Sequence, residues 1–352
     1  MFFFCILYKK MTKYILVFLG VFFLTLNTKA QDGFESILLA DAADSQKLIK
    51  AYFAPGIEGF INSMNTGWYH SAKVHKKFGF DITLGASGSF IPSEKEIFNI
   101  STLGFTSISS TSSTASTFGG DKNNTTPMTV TTTVNGQVVT ANFDAPGGAD
   151  LPANLVPAPI AQLTLGLPWN MDAMIRMVPK IKIGDNDGSV KMLGLGLKKE
   201  ITSWFGPMEK TPLHVSLLTA YTTMSVRYGI QDQNSGVIKV RNALTEFNLK
   251  AFTFQTIASL NFPVLNLYGG IGYNSGSSNY KMKGTFVGEY TDTTSGQKVT
   301  KELAVPSNLE FESKGFRSTL GAGLSLGFFE IFADYTLQEY NAVSAGIAFS
   351  SR

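Results

Sequence analysis

Few residues of this chain have types and spacing that could do chemistry, and the three histidines come first. His70 and His75 lie five residues apart with no glutamate between them, and His214 stands alone. A zinc-hydrolase helix needs two histidines four residues apart, with the glutamate between them. We therefore predict no metal site, and we expect the two neighbouring histidines in a turn at one end of the fold.

Linear motifs for nucleophilic or phosphate chemistry are missing. The chain contains neither GxSxG nor GxxxxGK[ST]. Gly184-Asp-Asn-Asp-Gly188 brings two carboxylates together, but no bidentate acid follows at the distance that a calcium loop requires. These observations predict a protein that is not an enzyme, with no catalytic residue and no cofactor.

The remaining candidates for functional residues are charged side chains that share one face of a strand. The strands themselves are recognised by the alternation of apolar and polar residues. From Phe78 to Phe90 every second residue is apolar or small, and the residues between them are Asp, Thr, Ser or Gly. The same alternation recurs over 319–328, 329–338 and 343–349. Period two predicts strands with one apolar and one polar face. A soluble sandwich or barrel and a membrane barrel both have such strands, with the apolar face inside in the first case and outside in the second.

The N-terminus has the pattern of an export signal. Lys9, Lys10 and Lys13 precede an apolar stretch over 14–26, and small residues at 28 and 30 predict cleavage after Ala30. About 13 apolar residues are too few for a membrane-spanning helix. Met11 is an alternative start. Removing residues 1–30 lowers Lys+Arg from 29 to 25 against 26 Asp+Glu, so the mature charge is about −1. A nucleic-acid partner is therefore not expected, and the single cysteine, Cys5, is lost.

Strand length and turn length favour the membrane case. The strands are about 10–14 residues long, as a tilted membrane crossing requires, and tight turns alternate with long polar loops. The predicted fold class is all-β, a transmembrane antiparallel β-barrel in the outer membrane with a short N-terminal helical segment. Counting back from a periplasmic C-terminus gives twelve strands, near 341–350, 328–338, 314–327, 263–274, 244–258, 213–225, 188–199, 170–180, 160–167, 97–106, 78–91 and 57–68. A further pair at 279–290 and 298–305 would make fourteen.

The predicted organisation has three parts. Residues 31–77 form a helical segment, either a plug or a periplasmic cap, in which Pro55-Gly56 stops the helical pattern and a first strand follows near 57–68. Residues 78–352 form the barrel. Within it, the Ser/Thr/Gly-rich stretch 101–158 is predicted as a long exposed loop, interrupted by a hairpin with Asn135-Gly136 at its turn.

Six charged residues are predicted to face the lumen. Three of them follow one another at four-residue intervals on one strand and are expected to form a single inward row. These charges either neutralise one another or guide a substrate. The candidates are Asp81, Asp172, Arg176, Lys180, Glu330 and Asp334. Aromatic residues near strand ends are expected to form interfacial girdles, namely Trp68, Trp169, Trp204, Tyr228, Tyr273 and Tyr340.

Two stretches carry resemblances to known families. The run from Gly67 to Leu84, with Ala51-Tyr-Phe-Ala-Pro-Gly before it, resembles an uncharacterised family of exported Bacteroidota outer-membrane barrels. The run from Leu165 to Pro179 resembles a strand–turn–strand of the outer-membrane long-chain fatty-acid transporters (FadL-type). The second resemblance implies a fourteen-stranded barrel with an N-terminal plug and with lateral or periplasmic release of hydrophobic substrates.

The predicted function is therefore an outer-membrane barrel that binds or passes hydrophobic small molecules. The alternative is a structural or surface-interaction barrel that does not transport and acts through its long external loops. The expected partners are outer-membrane lipid, a hydrophobic small molecule and, during biogenesis, the barrel assembly machinery.

Overall fold

The structure, a computed structural model, describes residues 34–183, 188–234 and 236–351. The predicted signal peptide, its cleavage point after Ala30, the alternative start at Met11 and the Gly184-Asp-Asn-Asp cluster lie outside the described residues. One α-helix, α1, spans Ala42–Met64. Short 3-10 helices cover Phe34–Leu39, Ser93–Lys95, Ile100–Leu103, Pro152–Asn154 and Thr202–Lys210. No helix in the described part is both long enough and apolar enough to span a membrane.

Sixteen strands account for most of the described chain. They are β1 Phe80–Phe90, β2 Ile97–Asn99, β3 Ile108–Ser109, β4 Thr114–Ser116, β5 Thr126–Val134, β6 Gln137–Ala145, β7 Leu155–Leu167, β8 Met171–Ile183, β9 Gly188–Glu200, β10 Leu213–Ile230, β11 Ile238–Asn261, β12 Leu265–Asp292, β13 Lys298–Glu302, β14 Leu309–Leu326, β15 Phe329–Leu337 and β16 Ala342–Ser351.

Ten of these strands close into an antiparallel barrel. Around the ring they follow the order β1, β7, β8, β9, β10, β11, β12, β14, β15, β16 and back to β1. The ring closes where the first and last barrel strands pair, with Phe80 opposite Ser351 and Ser89 opposite Ala342. The predicted fold class is confirmed, but the predicted count of twelve to fourteen strands is wrong.

The surplus strands are predicted in places where the structure has a helix, a short turn or the continuation of another strand. Residues 57–64 belong to α1, which continues through Pro55 even though proline cannot donate the helical hydrogen bond at that position. Ile57, Ile61 and Met64 recur at helical spacing and are all buried, so packing favours the helix. The predicted strand at 97–106 is replaced by the short β2 and a 3-10 turn. Residues 279–290 extend β12 rather than starting a new strand.

The outer wall of the barrel is apolar. On β9, Leu193, Leu195 and Leu197 point outward, and the glycines between them point inward. On β12 the outward apolar run extends over 265–273, which gives a band about 20–25 Å tall for a tilted strand. That height matches the apolar band of outer-membrane barrels. The apolar face therefore faces lipid, as in the membrane architecture and unlike the soluble one.

The two ends of the barrel differ. One end, here called the turn side, carries the C-terminus and the connections 168–170, 201–212, 262–264 and 327–328. The opposite end, the loop side, carries 91–154, 293–308 and 338–341. Short turns are periplasmic and longer loops external in outer-membrane barrels, so we take the loop side as external.

The aromatic girdle is present only in part. Trp169 and Trp204 are exposed at the turn side, 81% and 67% of their surface respectively. Trp68 and Tyr340, however, are fully buried, so their assignment to the girdle is wrong.

The 91–154 connection folds into a layer over the loop side, here called the external layer, instead of a plain exposed loop. Strands β5 and β6 form a hairpin whose turn, Asn135-Gly136, has φ of 51° and 83° at its two residues. Positive φ at both positions is the geometry of the tight hairpin turn that the sequence predicts. Met128, Val130 and Phe143 are buried beneath the hairpin.

Candidate functional site: the occupied lumen

The N-terminal segment runs through the barrel from the loop side to the turn side. Before α1, the Leu39 carbonyl accepts a 2.7 Å hydrogen bond from the Tyr290 hydroxyl, near the loop-side end of β12. At the end of α1, Ser63 Oγ donates to the Val156 carbonyl at 2.6 Å, near the loop-side end of β7. Residues 65–79 then descend to the turn side and enter β1. We call residues 34–79 the plug.

Two buried arginines of the wall hold the plug just after α1, where the chain begins to descend from the loop side. Arg176 donates from Nη1 to the Thr66 carbonyl at 3.0 Å and from Nη2 to the Gly67 carbonyl at 2.6 Å. Arg317 donates from Nη1 to the Asn65 carbonyl at 2.5 Å. A guanidinium group has several fixed donors and no acceptor, so each arginine can satisfy carbonyls of a chain that has left its helix.

Trp68 fills the middle of the lumen. The Arg176 guanidinium lies 4.1 Å from the centre of its ring, a cation–π contact. Gly194 and Gly196 of β9 face the same ring, and a Cβ at either position would lie 3.0–3.2 Å from ring carbons. These glycines leave the space that the indole occupies. Sequence reasoning assigned Trp68 to the membrane interface and so missed it as a plug residue.

Nearer the turn side, polar side chains of the wall form further hydrogen bonds with the backbone of the plug. Lys198 Nζ donates to the carbonyls of residues 71 and 73 at 3.2 and 3.0 Å. Ser216 Oγ donates to the carbonyl of residue 72 at 2.5 Å, and Ser259 Oγ accepts from the amide of that residue at 3.0 Å. Glu200 accepts from the amide of residue 74 at 3.1 Å. The wall therefore satisfies polar backbone groups of the plug along its whole descent.

Five of the six predicted lumen charges lie buried inside the barrel. These are Asp81, Asp172, Arg176, Glu330 and Asp334. Lys180 does not continue the predicted row, because the pairing of β8 with β9 shifts register between Val178 and Ile181. Such a bulge adds a residue and reverses which side chains face inward, and Lys180 is exposed.

The two plug histidines meet the buried acids near the turn side. His75 Nδ1 lies 3.2 Å from Asp172, which also pairs with Lys198 at 3.0 Å. His70 lies between Asp81 at 3.4 Å and Glu330 at 3.2 Å. These contacts place charges of the wall against partners that belong to the plug. No set of three or more His, Cys, Asp or Glu residues suited to a metal ion occurs within the ranges that the structure describes.

A cavity of about 190 Å³ remains between the wall and residues 68–76 of the plug, toward the turn side. Its lining combines polar side chains such as His70 and Gln162 with apolar ones such as Trp68 and Met174. Pockets for drug-sized ligands usually measure about 300–1,000 Å³ and are mostly apolar. At about 190 Å³, this cavity is therefore too small for a long-chain hydrophobic ligand.

Asp44 joins the plug to the external layer. The carboxylate is fully buried and accepts hydrogen bonds from the amides of Thr106 at 2.8 Å and Ser107 at 2.7 Å. Burial alone would raise the pKa of Asp44, but the hydrogen bonds from Ser107 and Thr106 outweigh it and hold the pKa below 3.8. The charged form of Asp44 therefore stabilises the contact between α1 and the loop.

A second joint lies near the middle of α1. Lys95 pairs with Glu58 of the helix at 2.8 Å and with Glu339 at 2.6 Å. Tyr340 donates to Glu58 at 2.6 Å, and Lys95 lies 4.6 Å from the centre of its ring. Burial lowers the pKa of Lys95, but the two glutamates outweigh it and raise the pKa above its usual value. Lys95, which lies in the 91–154 connection, therefore links the plug both to that connection and to the 338–341 connection.

Residues 8–351 match the model of a family described as a family of unknown function (DUF6588). No curated protein matches the chain. Among solved structures, the chain is similar to Ail, the attachment invasion locus protein of Yersinia pestis in complex with the heparin analogue sucrose octasulfate. The identity is 8% and the TM-score 0.26, covering 78% of this chain and 100% of that one. It is also similar to the translocator domain of the autotransporter NalP from Neisseria meningitidis, with 11% identity and a TM-score of 0.26, covering 79% of this chain and 90% of that one.

Proposed function

The chain belongs to the DUF6588 family of unknown function, and we propose that its outer-membrane barrel is a sealed anchor that acts at the cell surface through its external layer. The proposal includes no catalytic chemistry. It follows the alternative that the sequence leaves open, a barrel that does not transport, rather than the transport of hydrophobic molecules.

The occupied lumen carries this proposal. Each level of the descending chain is hydrogen-bonded to the wall, and the donors include the buried cations Arg176, Lys198 and Arg317. Hydrogen bonds that involve a charged group contribute about 1.5–3 kcal/mol each. Withdrawing the plug would break several of these bonds together and would leave buried charges without their partners, which is strongly destabilising. A thermally driven opening of the lumen is therefore rare.

Transport of hydrophobic molecules lacks comparable support. The resemblance of residues 165–179 to FadL-type transporters implies fourteen strands, whereas this barrel has ten. Those residues do form a strand–turn–strand, the end of β7 and the start of β8, but that unit is common to all antiparallel barrels. The cavity beside the plug is smaller than a pocket for a long-chain ligand. A transport cycle would have to displace the plug.

The external layer is built as a folded unit suited to display. The β5–β6 hairpin extends the barrel wall through the pairing of Thr140 with Thr291 and of Val139 with Asp292. Asp44 and Lys95 connect the same layer to the plug. A layer held at both its rim and its centre presents a fixed surface outside the membrane.

Conductance and uptake measurements on the full-length protein test the proposal. In planar bilayers, wild-type protein is expected to give no steady ion conductance and only rare, brief open events. Cells with and without the protein are expected to take up labelled long-chain fatty acid at the same rate. An antibody against the β5–β6 hairpin is expected to stain intact cells. Steady conductance or protein-dependent uptake would contradict the sealed anchor, and hairpin staining only after permeabilisation would contradict external display.

A further inference from the structure

A cleft of about 420 Å³ lies on the outer wall of the barrel and is lined by residues of strands β10, β11, β12 and β14. Its floor is β12, where Ser275 and Ser277 present small side chains. On one side Ser275 pairs with Phe252 and Ser277 with Lys250 of β11. On the other side Ser275 pairs with Lys314 of β14. Long side chains on both flanks of a small-residue floor create the cleft.

The cleft lies at the loop-side edge of the apolar band. Toward the turn side, the outward positions next to it are Phe252, Tyr273 and Phe316, all with large exposed surfaces. Tyr273 and Phe316 contact edge to face at 5.4 Å between ring centres. Toward the loop side the outward positions become polar, beginning with Ser275 and Lys314. Aromatic residues followed by charged ones mark the interface between acyl chains and headgroups.

Two lysines give the cleft its charge. Lys250 and Lys314 are exposed, and among the described residues no ion pair engages either of them. They lie on strands β11 and β14, which are separated by β12 and hence by about 10 Å. Glu312 lies on the same rim, opposite Ser277, so the three charges sum to +1. A group bearing separated phosphates complements this arrangement, because the cationic side chains flank both sides of the floor.

We propose that this cleft binds a phosphorylated saccharolipid of the outer leaflet, with its phosphates at Lys250 and Lys314 and an acyl chain against Phe252. The loop side faces the outer leaflet, so the site lies at the depth of that lipid's phosphates. The exposed aromatic residues on the turn side of the lysines can pack against an acyl chain, and a free anion would make no such contact. The proposal concerns the outer wall and is independent of whether the lumen is sealed.

Native mass spectrometry of the full-length protein, extracted in mild detergent and titrated with lipopolysaccharide, tests the site. The double variant Lys250→Gln with Lys314→Gln removes both charges and keeps similar side-chain length. A lysine near anionic lipid is worth about a factor of five in affinity, so the double variant is expected to bind about thirtyfold more weakly. Lys191→Gln is the matched control, because Lys191 also follows an outward apolar run at the loop-side edge, on β9. It is expected to bind as the wild type does.

Several outcomes would overturn the site. Equal binding by wild type and the double variant would show that the two lysines bind no phosphate. Equal losses in the double variant and in Lys191→Gln would show only general attraction to a charged surface. Stronger retention of phosphatidylglycerol than of lipopolysaccharide would assign the cleft to a different lipid. Displacement of bound lipid by millimolar inorganic phosphate would show an anion site with no lipid specificity. Heat-modifiable migration on gels checks that each variant is folded.

Discussion

Substituting Arg176 by methionine should unseal the lumen. Arg176 is fully buried, contacts the Trp68 ring and donates to the carbonyls of Thr66 and Gly67. It also donates from Nη2 to Gln162 Oε1 at 3.0 Å. Methionine is similar in length but has no donor. The variant keeps much of the packing volume and removes every hydrogen bond that the guanidinium makes to the plug.

The size of the effect follows from these contacts. Two plug carbonyls, those of Thr66 and Gly67, lose a buried charged donor, at about 1.5 kcal/mol each, whereas the bond to Gln162 lies within the wall and does not affect docking. The free energy that favours the docked plug over the undocked plug therefore falls by about 3 kcal/mol. Since 1.36 kcal/mol corresponds to a factor of ten, the undocked fraction should rise by about 150-fold.

Single-channel recording in planar bilayers measures that fraction directly. The frequency of open events for Arg176→Met should exceed that of the wild type by about two orders of magnitude. Arg227→Met is the matched control. Arg227 is exposed and pairs with Glu246 at 3.2 Å, and an exposed pair contributes at most about 1 kcal/mol. Its open frequency should remain close to that of the wild type.

One result would refute this reasoning. If Arg176→Met migrates as a folded, heat-modifiable barrel and stays as closed as the wild type, the arginine does not hold the plug. The seal would then depend on Trp68 and the lower contacts alone.

Three further predictions concern single sites. Gly194→Ala places a Cβ 3.0 Å from the Trp68 ring and should destabilise the folded protein by about 1–3 kcal/mol in detergent melts, whereas Gly315→Ala, where a Cβ meets no atom within 4 Å, should not. Because the folded pKa of Asp44 lies below 3.8, the stability that its charge contributes is complete above that pH and is lost as the pH falls through the folded value. Hydrogen exchange at residues 106–107 of the wild type should therefore rise on acidification. In Asp44→Asn the exchange, corrected for its intrinsic rate, should be high and nearly independent of pH. Gly136→Ala forces alanine to φ of 83°, costs about 1 kcal/mol and should speed proteolysis within the hairpin; unchanged cleavage would contradict the turn assignment.

The barrel strands could be predicted because lipid imposes strict alternation on them. Strands β15 and β16 were predicted within one or two residues of their observed ends. The upper half of β12 was predicted as a separate strand because its polar residues resemble loop composition, while pairing with β11 keeps it extended. The β8 bulge that exposes Lys180 was also missed, because alternation carries no signal for an inserted residue.

The plug was the least predictable part. Helical spacing indicated a helix before β1 but not its continuation past Pro55, which depends on burial against the barrel. Sequence reasoning also could not choose between a plug and a periplasmic cap, since that depends on which way the chain enters the ring. Arg317 was missed, although its inward position follows from alternation with Thr319. Inward glycines such as Gly194 were the available signal for a filled lumen.

Threading of the plug through the barrel is the central claim, and site-directed labelling on intact cells tests it most directly. Ala43, in the first turn of α1, is exposed on the loop side, and Lys76 is exposed on the turn side. A large polyethylene-glycol maleimide cannot cross the outer membrane. Ala43→Cys should react with it on intact cells, and Lys76→Cys should react only after the membrane is permeabilised. Protection of Ala43→Cys on intact cells, or labelling of both variants there, would contradict a chain that passes from the outside through the lumen.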